Sequence, residues 1–267
     1  MKKLFLVCIL LLTACANPYA QFYTGLPDAR QRPDYEPVAG ELTVYGTDNF
    51  DRDSLALIRR GYLPIGQAVF SAPSRIVAEE QLREQAARVG AHVVLMSSKY
   101  AHAVSAAMPF TPPQTATSFS TGTATASGRG GTANANDSGI SVTYGSQTVM
   151  MPHPTADSDL GVIFFAKIRP RIGIFCQPMD EGTRKRLQTN DGVLIKEVIE
   201  GSPAFKSDIL PGDVLMAIGN DRVQSVESYI RILNKYEGRT AAFHLDRDGK
   251  PLEKQIEILS LPRKTGQ

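Results

Sequence analysis

The run Ile209-Leu210-Pro211-Gly212-Asp213-Val214-Leu215-Met216-Ala217-Ile218-Gly219-Asn220-Asp221 decides how the last third of this 267-residue chain is read. Gly212 supplies a backbone bend, residues 214–218 form a short apolar strand, and Gly219-Asn220-Asp221 is a tight turn. Just upstream, Glu200-Gly201-Ser202-Pro203-Ala204 offers Ser as the N-cap and Pro as the first residue of a short helix. Before it, the Asn190-Asp191-Gly192 turn leads into Val193-Leu194-Ile195-Lys196-Glu197-Val198, a core strand. Downstream, 226–236 reads as a second helix and 240–245 as a strand. Arg247-Asp248-Gly249-Lys250 is then a hairpin turn before the closing strand, 252–258.

This order resembles the pattern Ser-Pro-Ala-…-Leu-x-x-Gly-Asp-x-Ile-x-x-Ile-Asn-Gly of PDZ domains, in particular those of HtrA-type bacterial envelope proteases. Arg171-Ile172-Gly173-Ile174-Phe175 is similar to the apolar-Gly-apolar loop with which that family holds a carboxylate. The resemblance covers 169–262. Two departures are conservative: Ser207-Asp208 replaces the family's Ala-Gly, and Asp tolerates the left-handed backbone, while Asn220-Asp221 replaces Asn-Gly. Pro178 removes an amide from the strand that would pair with a ligand, which predicts a short ligand strand.

The resemblance implies peptide capture by β-augmentation, in which a guest chain adds a strand beside the domain's own. Its carboxylate would be held at Ile172, Gly173 and Ile174, by backbone N–H groups and by the positive end of the helix beginning at Val226. A side chain at Gly173 would obstruct the guest. Phe175, Cys176, Tyr229 and Leu233 are the expected groove residues, whereas Ile230, on the stripe of Val226 and Leu233, reads as core. The expected Kd is about 1–100 μM. Arg184-Lys185-Arg186 reads as a solvated loop partnered by Asp180, Glu181 and Asp191. The alternative is a structural envelope protein whose groove is vestigial or filled by its own strand.

At the other end, Met1-Lys2-Lys3 and the nine apolar residues 4–12 make a signal peptide, too short to span about 30 Å of hydrocarbon. Leu12-Thr13-Ala14-Cys15 resembles the lipobox of bacterial lipoproteins, which implies cleavage after residue 14 and lipid on Cys15. Ala16 rather than Asp at the next position implies an outer-membrane destination, facing the periplasm. Cys8 then leaves with the leader and Cys15 carries lipid, so Cys176 remains alone, without a disulfide or metal partner, and reads as a small buried apolar side chain. Without Lys2 and Lys3, the 29 basic side chains fall to the number of the 27 acidic ones, which removes any electrostatic case for nucleic-acid binding.

Between these ends, 15–40 is rich in Pro and without periodicity, and predicts a flexible tether. Residues 41–168 read as a small α+β domain: strands at 42–45, 62–70 and 91–100, helices at 51–60 and 74–89. Residues 111–137 are rich in Thr, Ser, Gly and Ala with almost no large apolar residue, a flexible insertion unable to offset its own ordering entropy. Two apolar runs, 140–151 and 160–167, are expected to return to this domain's sheet. The fold class is therefore α+β: an α+β domain with a low-complexity insertion, then a partly open PDZ barrel capped by two helices. No catalytic residue, metal or cofactor is expected. Gly-x-Ser-x-Gly and His-Glu-x-x-His are missing, and His92, His102, His153 and His244 stand in unrelated contexts.

Overall fold

A computed structural model describes residues 17–71, 79–97 and 159–262, together with the backbone of three short strands, Ala107–Pro109, Ser141–Tyr144 and Gln147–Met150. The leader, Cys15, the insertion at 111–137, His153 and the first turns of the helix expected from residue 74 lie outside the described residues.

Six strands form the first sheet: β1 (Tyr23–Gly25), β2 (Thr43–Thr47), β3 (Tyr62–Ser71), β4 (Val93–Ser97), β5 (Ala107–Pro109) and β8 (Asp159–Lys167), in the order β1-β3-β8-β4-β2-β5. The strands β2, β4 and β5 run parallel; β1, β3, β8 and β4 pair antiparallel. Helices α1 (Pro18–Gln21) and α3 (Glu79–Val89) cover one face, and α2 (Phe50–Arg59) covers the other. This explains the unbroken apolar runs Val93-Val94-Leu95-Met96 and Phe164-Phe165. Val94, Met96 and Phe164 join one core; Val93, Leu95 and Phe165 join the other.

The second sheet is antiparallel throughout. It holds β9 (Ile174–Pro178), β10 (Val193–Val198), β11 (Val214–Ile218), β13 (Thr240–Arg247) and β14 (Lys250–Glu257) in the order β14-β13-β11-β10-β9, with the short β12 (Asp221–Arg222) on β11. Helices α4 (Glu181–Leu187), α5 (Pro203–Lys206) and α6 (Val226–Lys235) complete this part. The local signals act as their chemistry dictates. Ser202 Oγ accepts from Phe205 N with Pro203 in the first turn, Asp208 takes the left-handed conformation (φ 57°), and Asp248 and Gly249 carry the positive φ of a tight hairpin. Asp213 is buried and held by Arg247 (Nε–Oδ1 2.7 Å, Nη2–Oδ2 2.9 Å), while its Oδ2 also accepts from Leu210 N. The Gly212-Asp213 pair thus fastens a bend as well as forming one.

Three expectations are corrected. Residues 17–40 are folded onto the first domain, not a tether. Asn17 caps α1 and bonds Gln81 O, β1 pairs with β3, and Tyr19 and Ala29 are fully buried. Elements this short carry no periodicity, which is why composition misled. Ser141–Tyr144 (β6) and Gln147–Met150 (β7) pair with each other as a separate hairpin instead of joining the first sheet, whereas β8 does join it. Arg184, Lys185 and Arg186 lie on α4, not in a loop. Arg184 donates to Met179 O, and the other two pair with Glu181 and Asp246.

The two sheets are not beads on a string. Phe175 and Ile199 of the second pack into the core made by Phe50, Leu57, Ile58, Leu63 and Phe165 of the first. Arg59 bonds Glu197 across the junction, and Glu200 N donates to Arg59 O.

Candidate functional site

The edge of the second sheet is β9, and the loop that leads into it is built to turn its amides outward. Three consecutive carbonyls point into the domain: Arg171 O accepts from Leu259 N (3.0 Å), Ile172 O from Ala204 N (2.9 Å) and Gly173 O from Ile199 N (2.8 Å). In a planar trans peptide the N–H lies opposite the carbonyl. The amides of Ile172, Gly173 and Ile174 therefore face away from the domain. The ladder gives the same answer for Ile174. The Ile199 N to Gly173 O bond makes Ile174 and Val198 a non-hydrogen-bonded pair, whose amides point away from each other.

Gly173 is required by its surroundings. Its φ is +85°, and a Cβ there would stand 2.2 Å from Ser202 Cβ. The obstruction is thus with the domain's own helix cap, in addition to any guest.

Between this loop and α6 lies a cavity of about 590 Å³. Ile172, Gly173, Ile174, Cys176, Tyr229 and Leu233, all singled out from sequence, line it together. Phe175 does not. Alternation along β9 turns it to the opposite face, where it is buried in the shared core. Val226 and Ile230 also line the cavity and are half-buried, whereas Tyr229 and Leu233 are buried at its floor. Ile230, expected in the core, packs against it only partly buried, as Val226 does, and its remaining surface lines the cavity. Helical spacing shows which residues share a face and not which edge of that face is wet.

The helix polarity expected from sequence is reversed. Arg171 Nη1 donates to Asn234 Oδ1 (2.5 Å) in the last turn of α6, and Arg171 O meets Leu259, next to Ile258 on Arg239. The loop therefore lies at the C-terminal, negative end of the helix. The positive charge at this place comes from the Arg171 guanidinium.

Cys176 is buried, and burial pushes its thiol well above the usual range, so it stays protonated. Sequence reasoning missed the far side of the cavity, formed by Leu26, Pro27, Asp28, Gln31, Arg32, Pro33 and Asp34 of the first domain, with Leu261. No local signal in those residues points to a site nearly 140 positions further along the chain.

The PDZ domain family profile matches residues 170–258. The "Probable periplasmic serine endoprotease DegP-like" of Chlamydia trachomatis serovar D is 26% identical over 98 residues, which are 36% of this chain and 20% of that protein. The chain thus covers a fifth of that relative's length. Similar solved structures include the HtrA3 PDZ domain bound to a phage-derived ligand (16% identity, TM-score 0.30, 33% of this chain and 84% of that one). Others are the HtrA-type protease AlgW with a decapeptide (16%, TM-score 0.31, 46% and 42%) and a serine endoprotease from Yersinia pestis (22%, TM-score 0.28, 38% and 39%).

Proposed function

With residues 170–258 a PDZ domain, we propose that this chain is a lipid-anchored cell-envelope protein that binds the C-termini or extended segments of partner proteins, without catalysis. One observation carries the reading: among the described residues β9 is an edge strand paired only with β10, and the amides of the loop leading into it, at Ile172, Gly173 and Ile174, turn away from the domain beside a largely apolar cavity. A guest strand laid there gains main-chain hydrogen bonds, and its terminal apolar side chain gains a pocket. The lipobox-like Leu12-Thr13-Ala14-Cys15 and the periplasmic name of the Chlamydia relative support placement in the envelope, and Ala16 in place of Asp is the ground for proposing the outer membrane, facing the periplasm.

Titration of the mature chain with fluorescent peptides tests this. Peptides with apolar free C-termini are expected to saturate with Kd of about 1–100 μM, and amidation is expected to weaken them at least about tenfold. Ile230→Glu places charge in the cavity from a half-exposed position and should abolish binding while leaving the fold intact. Indifference to amidation would remove carboxylate recognition.

A second reading, a structural protein with a self-occupied groove, is favoured by one observation: Cα atoms of β6 come within 8 Å of those of β9. Deleting residues 141–150 separates the two. Binding that appears only after the deletion belongs to the second reading; binding unchanged by it belongs to the first.

A further inference from the structure

We propose that the first domain touches the lipid bilayer directly through α1 and the start of β1, with the ring of Phe22 seated in the interfacial layer. This rests on the reading of Cys15 as lipid-anchored and adds to it which face of the protein meets the lipid.

The first residues of the fold set the place of contact. Asn17 Nδ2 donates to Gln81 O (2.7 Å) and to Glu84 Oε2 (3.2 Å), so the chain is fixed to α3 at that point. A lipid on Cys15 holds that residue at the membrane surface, and only Ala16 stands between the two. From Asn17 the chain makes one helical turn, and its C-cap, Phe22, donates its N–H to Pro18 O (3.0 Å). With at most about 3.6 Å per residue outside a helix and about 1.5 Å within one, the Cα of Phe22 lies within about 15 Å of that of Cys15.

The surface there has the chemistry of a lipid contact. Tyr19 is fully buried, with its ring edge-on to Phe70 (5.3 Å, 81°). Phe22 stacks nearly flat on the same ring (5.6 Å, 18°) and still leaves 47% of its surface exposed. Phe70 thus holds the Phe22 ring in one orientation without covering it, so little conformational freedom is left to lose on insertion. Gln21, Thr24 and Gly25 are exposed beside it, and no charged residue stands between Cys15 and Asp28 in a chain that is 21% charged. An uncharged segment enters the headgroup layer without stripping water from an ion. On α3, to which Asn17 is tied, Glu80 and Glu84 are exposed, so surface charge gives no attraction to anionic headgroups. The partner is the apolar boundary of the bilayer.

The length of β3 sets the orientation. Phe70, under the Phe22 ring, is near its end, whereas Tyr62 begins it beside the junction, where Ile168 N donates to Gly61 O (3.0 Å) and Glu200 N to Arg59 O (2.7 Å). The strand between Tyr62 and Phe70 spans about 25 Å. A molecule resting on α1 therefore carries its second domain, and the groove, clear of the lipid.

The chain holds no Trp, so Phe22→Trp makes a single fluorescent reporter at this place. The full chain, expressed with its own leader so that Cys15 is acylated, is reconstituted into phosphatidylcholine vesicles with and without lipids brominated in the upper acyl chain. Phe22→Trp is expected to emit at shorter wavelength than in detergent-free solution of the unacylated chain, and to lose at least about half its intensity to brominated lipid. Gln21→Trp, at the exposed neighbouring position, reads the same layer without altering the stack on Phe70. Phe205→Trp, at a ring 53% exposed on the second domain, is expected to show neither change. Raising the salt concentration should leave the quenching as it is. An acylated chain that floats with the vesicles while positions 21 and 22 stay unquenched overturns the contact surface and leaves the anchor standing. Equal quenching at position 205, or quenching that needs anionic lipid and fades with salt, overturns it as well. A chain that gains no lipid mass and does not float removes both the anchor and the contact.

Discussion

The Arg59 guanidinium grips the Glu197 carboxylate across the junction of the two sheets, Nε to Oε2 at 2.7 Å and Nη2 to Oε1 at 3.3 Å, with the Glu197 side chain only 3% exposed. A buried carboxylate survives because it has this partner; without it, the charge stays desolvated and uncompensated.

Arg59→Ala is therefore expected to destabilise the chain by about 3 kcal/mol, read from urea unfolding. Adding Glu197→Leu, which removes the stranded charge, should recover most of the loss. The shared core around Phe175 also predicts one unfolding transition for both domains. Two separated transitions would show that the junction does not couple them.

Gly173→Ala should fail as a folded protein before it fails as a receptor. The new Cβ meets Ser202 Cβ at 2.2 Å, and the residue keeps a φ of +85°. The expected loss is about 2 kcal/mol or more by thermal melting. Ser202→Gly should restore part of it, since it clears the collision at a small capping cost. A Gly173→Ala chain as stable as wild type would contradict the loop geometry.

His92 gives the folded state a pH dependence. Its Nδ1 accepts from Lys167 N (3.0 Å), and its Nε2 shares a hydrogen bond with Tyr35 Oη (2.9 Å). Burial lowers its pKa below the ordinary 6.5, against a weaker opposing pull from Glu36. The unfolded chain therefore binds the proton more readily, and stability rises with pH until about 6.5, then levels. Falling pH costs the fold this contribution. His92→Gln should flatten the profile between pH 5 and 7 in unfolding titrations.

The thiol of Cys176 should resist iodoacetamide in the native state and react only once denaturant opens the sheet, because it is buried and its thiolate is suppressed. Rapid native labelling would mean that β9 opens locally.

Most of the second domain could be read from the chain because its signals are local: Ser202-Pro203 at a helix start, Asp208 where a left-handed residue is needed, Asp248-Gly249 at a hairpin. The groove was legible in part. Its loop and floor residues have sequence signatures, but the half-buried placement of Ile230, the proximity of Asn234 to Arg171 and the far side of the cavity at 26–34 arise from contacts between distant segments. Phe175 did leave a trace. In Ile172-Gly173-Ile174-Phe175-Cys176 the apolar residues occupy both parities, as a strand buried on both faces requires. Residues 17–40 deceived for the opposite reason: their order comes from single buried side chains such as Tyr19, which no repeat announces.

That early folding has a bearing on reach. A loose leash from residue 15 to residue 40 would let the body wander about 25–30 Å from its acyl chains. Asn17, however, is already bonded to Gln81 O and Glu84 of the first domain. In the proposed anchored form, a single residue, Ala16, and at most about 7 Å of chain separate the body from the lipid on Cys15. Such a protein would ride on the bilayer like a limpet, sampling only those termini that come down to its own thin layer of periplasm.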